Sequence, residues 1–409
     1  MKTIGRIFLA CILITFLVAC AAPATPAPTA APATAAPVAT VAPTASPNEA
    51  WLKAAELGKY APAKQDWAAI EAAAKKEGKV LVYANSSRIA DAKKAFEAKY
   101  PGITLEGFDL GGEDAVLKIK EEQKAGAFTG DVLFTSSAAG DIVMDMLPKQ
   151  QLWQFVPDAV ASVYPKESRD PLLVSRYGVR VLAYNSELNK ACPVSNWWEL
   201  TEATWKGKVF IEDPLADAST MAIYTTIVSH AKDLAAAYKD KYGKDPVLEA
   251  DTPDAGYLWL KMFSKNKPMP QPGGDEVTTA IGSKGMKEAG LGFISYSKYR
   301  NVVSGKLVLE PCKTLKPVMG VQTATYLAIA NRAPHPNAAK LFINFITGTE
   351  GFAPWNVIGD YNPRTDVESP KGAIPYSELG KVVWTIDEPS VYKTISKVRD
   401  FYAVNILAR

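Results

Sequence analysis

The chain has 409 residues, of which 48% are hydrophobic and 22% charged; this is ordinary globular composition, long enough for two lobes with separate cores. The net charge is +3, and setting aside Lys2 and Arg6 in the leading segment lowers it to +1. So near to neutrality, the chain gives no case for a nucleic acid or an anionic membrane face as partner. The leading segment comes first in chain order. Residues 1–6 carry the positive charge, residues 7–18 are a short apolar run, and Leu17-Val18-Ala19-Cys20 closes it. A basic start, a short apolar core and small residues at the cut describe an export signal over residues 1–20. The run is short for a membrane-spanning helix. Residues 21–50 follow as a tether. Up to Pro47 they are almost only Ala, Pro and Thr, without charge, and cannot bury enough surface to offset the entropy of ordering. A Pro-rich chain of this kind is extended and semi-rigid.

Strand and helix signals then alternate. Apolar residues at helical spacing (Trp67, Ile70, Ala73, Ala74) predict a helix over 67–76, with Gly78 as its stop. Residues 79–83 read as a buried strand, 89–100 as an amphipathic helix ended by Pro101-Gly102, and 103–108 as a second strand. Residues 113–125 read as a helix and 131–134 as a third strand. After a looser region come strands at 179–184 and 208–212, a long helix over 219–238, a short strand at 291–296 and a strand at 325–330. Helices over 337–346 and 390–407 complete the pattern. Alternation of this kind predicts βαβ units, parallel sheet and an α/β class with two lobes.

Motifs for chemistry are largely missing. There is no G-x-S-x-G, no phosphate-binding loop of the G-x-x-x-x-G-K type, no G-x-G-x-x-G, no H-E-x-x-H and no C-x-x-C. The two histidines, His230 in a helical run and His335 between two prolines, give a catalytic triad nothing to build on. Asp213 and Asp217 lack the spacing of a calcium loop and read as a turn and a helix cap. What remains is a set of polar loops at strand ends: Asn85-Ser86-Ser87-Arg88, Thr135-Ser136-Ser137, and Asp217-Ala218-Ser219-Thr220 before the long helix. In open α/β sheets ligands bind at the carboxyl ends of strands, where helix N-termini offer free N–H donors and hydroxyls add hydrogen bonds. The expectation is a cleft between lobes, no enzyme activity, and no cofactor or metal.

Two resemblances sharpen this. Leu17-Val18-Ala19-Cys20 resembles the lipobox of bacterial lipoproteins, which implies that Cys20 is acylated and becomes the mature N-terminus. Gly78 to Tyr83, Ala95 to Ile103, Gly130 to Phe134, Val181 to Asn185 and Trp197-Trp198-Glu199-Leu200 are the next set. Together with Trp205 to Val209, Pro336 to Phe342 and Gly351, they resemble, in order and spacing, the ferric-ion-type class of extracellular solute-binding proteins. That resemblance implies the type II periplasmic-binding fold, two lobes closing on a ligand about a hinge. It assigns residues 51–177 plus 318–375 to one lobe and 178–317 plus 376–409 to the other. It also implies a monomer that is lipid-anchored outside the cytoplasm and delivers a small molecule to the permease subunits of an ABC importer. Trp197 and Trp198 read as packing residues of that class.

The chain departs from the class where iron would bind. The positions of the tyrosine pair fall at about Ser297-Lys298, the histidine near Ser87 and the glutamate near Ser137, so no hard-cation ligand set is expected. Tyr296 and Tyr299 straddle the expected site. A small anionic or polar solute such as a phosphonate, a phosphate ester or a carboxylate is expected instead. Its hydrogen bonds would come from Asn85, Ser86, Ser87, Ser136, Ser137, Ser219, Thr220 and Tyr296, its charge from Arg88 or Lys298. Tyr361, Asn362 and Arg364 form a second candidate rim. Alternatives are a ferric-ion receptor, a lipid-anchored hydrolase, or a sensor using the same lobes. With Cys11 in the signal and Cys20 acylated, Cys192 and Cys312 remain, either bridged or as two buried thiols.

Overall fold

The structure is a computed structural model that describes residues 47–136 and 139–407. The export signal, Cys20, most of the tether and Ser137 lie outside those residues. The first described helix, Pro47–Ala54, begins inside the stretch 21–50 assigned to the tether. It belongs to the folded part: Leu52 is buried, and Trp51 Nε1 donates to the Ala333 carbonyl at 3.1 Å.

The helix Trp67–Glu77 forms for local reasons. The Asp66 side chain accepts from the Ala69 amide at its start, and Gly78, at φ 77°, takes the left-handed position at its end. The strands are β1 Lys79–Ala84, β2 Thr104–Asp109, β3 Val132–Ser136, β4 Leu152–Trp153, β5 Leu173–Asn185 and β6 Val209–Glu212. They continue with β7 Met269–Gln271, β8 Leu291–Ser295, β9 Leu309–Pro311, β10 Gly320–Ala330, β11 Asp360–Tyr361 and β12 Val383–Thr385. They hydrogen-bond in the order β2-β1-β3-β10-β5-β8-β6-β7, with the four remaining strands attached to β5 and β10.

Each end of this sheet is the expected parallel unit: β1 lies parallel to β2 and β3, and β6 parallel to β8 and β7. The middle is not parallel. β5 and β10 run antiparallel from Leu327↔Leu173 to Gly320↔Val181, with a register shift between Thr325 and Tyr326. β10 pairs with β3 through Thr325–Ile329, and β5 pairs with β8 through Arg180–Ala183. Two long strands therefore pass from one α/β unit into the other, the arrangement of two lobes joined by crossing strands.

Each lobe has its own apolar core. Phe96, Phe134, Phe342, Phe345 and Trp355 pack edge to face in the first. Trp197, Trp198, Tyr224, Trp259, Phe263 and Tyr402 fill the second. A buried aromatic hides roughly 150–250 Å², so these rings dominate both cores. Trp197 and Trp198 are fully packed, their indole N–H groups donating to the carbonyls of Val318 at 2.7 Å and Leu234 at 2.8 Å. Cys192 and Cys312 form a disulfide with Cα atoms 5.2 Å apart, closing a separation of 120 residues within the second lobe.

The single long helix expected over 219–238 is two, Ala218–Ser229 and Ala231–Tyr242. The break falls on His230 (φ −88°, ψ 40°). Its ring stacks on Trp384 at 4.5 Å and its Nδ1 lies 3.2 Å from Asp233 Oδ2, which also accepts from Trp384 Nε1 at 2.9 Å. A tertiary contact thus holds the kink that local periodicity does not show.

Candidate functional site

The loop after β1, the end of β3, the middle of β5 and β10, and the turn after β8 converge on a cleft of about 360 Å³. Asn85, Ser86, Ser87 and Arg88 line it from the first lobe with Ser136; Lys298 lines it from the second. These six sequence-predicted residues share one cavity. Ser219 lines an adjoining cavity of about 210 Å³ that shares Asn85, Ser136, Arg180, Glu212 and Thr323 with the first. The other four described predictions lie elsewhere. Thr220 is buried in the helix Ala218–Ser229. Tyr296 and Tyr361 are buried in a third apolar cluster. Arg364 forms a two-point pair with Asp366 at 2.9 and 2.8 Å and donates to the Thr347 carbonyl at 3.2 Å. Neither Tyr361 nor Arg364 is among the residues lining the cavity.

The side chains are fixed from behind. Asn85 Nδ2 donates to Ser136 Oγ at 3.1 Å, and Ser136 Oγ lies 3.3 Å from Thr325 Oγ1. Ser86 Oγ accepts from Trp355 Nε1 at 3.1 Å, and Trp355 in turn lies under the Arg88 guanidinium at 5.6 Å. Asn85 Oδ1 and Arg176 Nε are buried without a hydrogen-bond partner among the described residues.

Sequence reasoning missed the centre of the site. Arg176, Gly178 and Arg180 alternate along β5 and so share one face of the strand, and all three line the cleft. That period-two polar set inside a buried strand was the available signal. It went unread because β5 starts at Leu173, within the region taken as loose. Asp360, fully buried on β11, holds two guanidiniums: Arg176 Nη1 at 3.0 Å and Arg88 Nη2 at 2.8 Å. A Cβ on Gly178 would stand 3.3 Å from Thr323 Oγ1, 3.4 Å from Arg176 Nη1 and 3.5 Å from Asp360 Oδ1. A side chain there would press on the Thr323 hydroxyl and lie in contact with the Arg176–Asp360 pair.

Arg180 pairs with Glu212, and Lys298 with Asp275. Arg300 donates Nη1 to the Ser297 carbonyl at 2.8 Å and has no acidic partner within 4 Å among the described residues. Burial pulls the Arg176 and Arg300 guanidiniums below the usual arginine range, and the charge of Arg88 adds to this at both. At Arg180 burial acts the same way but Glu212 outweighs it, and the value is raised. Asp109, Glu212, Asp275 and Glu276 bring negative charge to the same cleft. The cavity is thus rich in guanidinium donors, groups that form charge-assisted, often two-point hydrogen bonds with carboxylate or phosphate oxygens.

The site presents no set of three His, Cys, Asp or Glu groups able to hold a metal among the described residues. Ser297 and Lys298 stand where the resemblance puts the tyrosine pair. Tyr296 packs against Tyr299, and Tyr299 Oη donates to Glu310 Oε1 at 3.0 Å. No described helix is long and apolar enough to cross a membrane.

Comparison with known proteins follows the same lines. The profile of the bacterial extracellular solute-binding protein family matches residues 91–374. Comparison with curated sequences gives no match. Among solved structures, iron-bound HitA from Pseudomonas aeruginosa is similar at TM-score 0.61 and 17% identity, over 80% of this chain and 99% of that one. The substrate-binding protein of an ABC transporter from Agrobacterium tumefaciens aligns at TM-score 0.62 and 14% identity, over 80% and 94%. AfuA from Actinobacillus pleuropneumoniae, with fructose-6-phosphate bound, aligns at TM-score 0.61 and 17% identity, over 81% and 99%. With the family profile covering well over half of the residues and the two-lobed architecture on the page, the chain belongs to the bacterial extracellular solute-binding proteins.

Proposed function

We propose that this chain is the receptor subunit of an ABC importer, and that it captures a small anionic solute directly, without metal, between its two lobes. The observation that carries the reading is the set of five cationic side chains, Arg88, Arg176, Arg180, Lys298 and Arg300, lining one hydroxyl-rich cleft between the lobes. The similarity to an ABC-transporter substrate-binding protein and to a receptor holding a sugar phosphate is consistent with it. The similarity to an iron-bound protein favours the ferric alternative, but serine and lysine at the tyrosine-pair positions argue against it. The role in this reading is binding, in keeping with a family of solute-binding proteins. Closure would bend β5 and β10 near residues 176–180 and 323–325, consistent with lobes at 51–177 plus 318–375 and 178–317 plus 376–409. In this reading the protein works as a lipid-anchored monomer through Cys20.

The test is a thermal-shift screen of the purified protein with phosphate esters, phosphonates, carboxylates, neutral sugars and ferric ion. A ligand at one hundred times its dissociation constant stabilises the fold by about 2.7 kcal/mol. The reading requires the largest shift from an anion. Stoichiometric ferric binding, or a shift from neutral sugars alone, would overturn it.

A further inference from the structure

The inner end of the cleft carries more positive charge than its own carboxylates balance. Arg180 is matched by Glu212, and Lys298 by Asp275. Three guanidiniums are then left, Arg88, Arg176 and Arg300, and a single buried carboxylate, Asp360, is shared by the first two. Asp109 and Glu276, the other acids of the lining, are exposed residues, which water and salt screen more strongly. Arg176 is 8% exposed and the Arg88 side chain 14%, so the inner charges are screened far less. Arg300 comes from the second lobe and Arg88 from the first, and after burial the charge of Arg88 further lowers the guanidiniums of both Arg176 and Arg300.

Resting on the anion reading above, we propose that the cleft selects for two negative charges: Arg300 is the determinant that separates dianionic phosphoryl or phosphonyl ligands from monoanions of the same shape. Two unbalanced guanidinium charges accept a dianion, whereas a monoanion leaves one of them desolvated and unpaired. A buried unpaired charge is costly, and the two lobes would then meet across a like-charge contact. Arg300 lines the cavity, and its planar guanidinium, with Nη1 committed to the Ser297 carbonyl and no other hydrogen bond among the described residues, has donors left for a tetrahedral head group.

The probe is an isosteric pair, ethylphosphonate and ethanesulfonate, at pH 8.5, where the first is a dianion and the second a monoanion. Isothermal titration of the purified protein should show ethylphosphonate bound about 10–100-fold more tightly, the worth of one charge-assisted bond. Arg300→Gln should weaken ethylphosphonate far more than ethanesulfonate and so cut that preference to a few-fold. Arg300→Lys, which keeps the charge, should retain most of it and controls for folding. Equal binding of the two probes by the wild type, or an undiminished preference in Arg300→Gln, overturns the charge rule while leaving anion capture standing. Binding of neither probe, with binding of a neutral sugar instead, overturns both readings.

Discussion

Asp360 offers the most direct test of how the cleft is assembled. Its carboxylate is fully buried and lies 3.0 Å from Arg176 Nη1 and 2.8 Å from Arg88 Nη2. Asp360→Asn keeps the shape but removes the charge. The amide oxygen can still accept from one guanidinium, while the amide nitrogen faces the other donor to donor. One charge-assisted hydrogen bond is worth about 1.5–3 kcal/mol, and removing one partner of a buried ion pair costs about 3–5 kcal/mol. Because one acceptor survives, the lower part of that range applies, and we expect a loss of about 3 kcal/mol. That is a large fraction of a stability of roughly 5–15 kcal/mol. Urea unfolding followed by tryptophan fluorescence measures it. Adding Arg176→Met to the Asp360→Asn background removes the stranded charge and should restore at least half of the loss. If Asp360→Asn unfolds within about 1 kcal/mol of wild type, or if the second substitution deepens the loss, the carboxylate does not hold the guanidiniums as described.

Other expectations follow from single contacts. His335 Nδ1 lies 2.8 Å from the buried Asp131 Oδ2; that hydrogen bond raises the imidazole above its usual value, against the opposing effect of burial. Its contribution to stability is therefore complete below the unfolded value of about 6.5 and is lost as pH rises through the folded one. Urea midpoints at pH 5.5 and 9 should differ less in His335→Gln than in wild type; an equal difference would remove His335 from the account. Reducing the Cys192–Cys312 bond should cost about 2–5 kcal/mol, and mass spectrometry of the unreduced, denatured protein should find neither cysteine alkylated. Cys20→Ala should release the protein from the membrane fraction, and retention there would rule out the lipid anchor.

Much of the fold was legible because it is locally encoded. Asp66, Gly78 and the apolar spacing from Trp67 define the first long helix of the folded part, and β1 to β3 stand within a residue or two of their apolar runs. The same holds for the serine loops: Asn85 to Arg88 follow a buried strand, so chain polarity alone places them at a carboxyl end. The kink at His230 was not legible, since it depends on a ring of Trp384, 154 positions further on. The start of β5 was obscured because Arg176 interrupts its apolar run, and a charged residue in a strand is admissible only where a partner waits.

That partner is the point at which sequence runs out. The chain by itself determined two α/β lobes and hydroxyl-rich strand ends, because periodicity, caps and turns act over a few residues. Only the tertiary structure decided which charges meet. Arg176 and Asp360 are 184 positions apart, and Arg88 reaches the same carboxylate from another strand end. Their pairing exists because β11 adds to β5 beside the crossing strands, and a buried charge must find its counterpart wherever the fold delivers one.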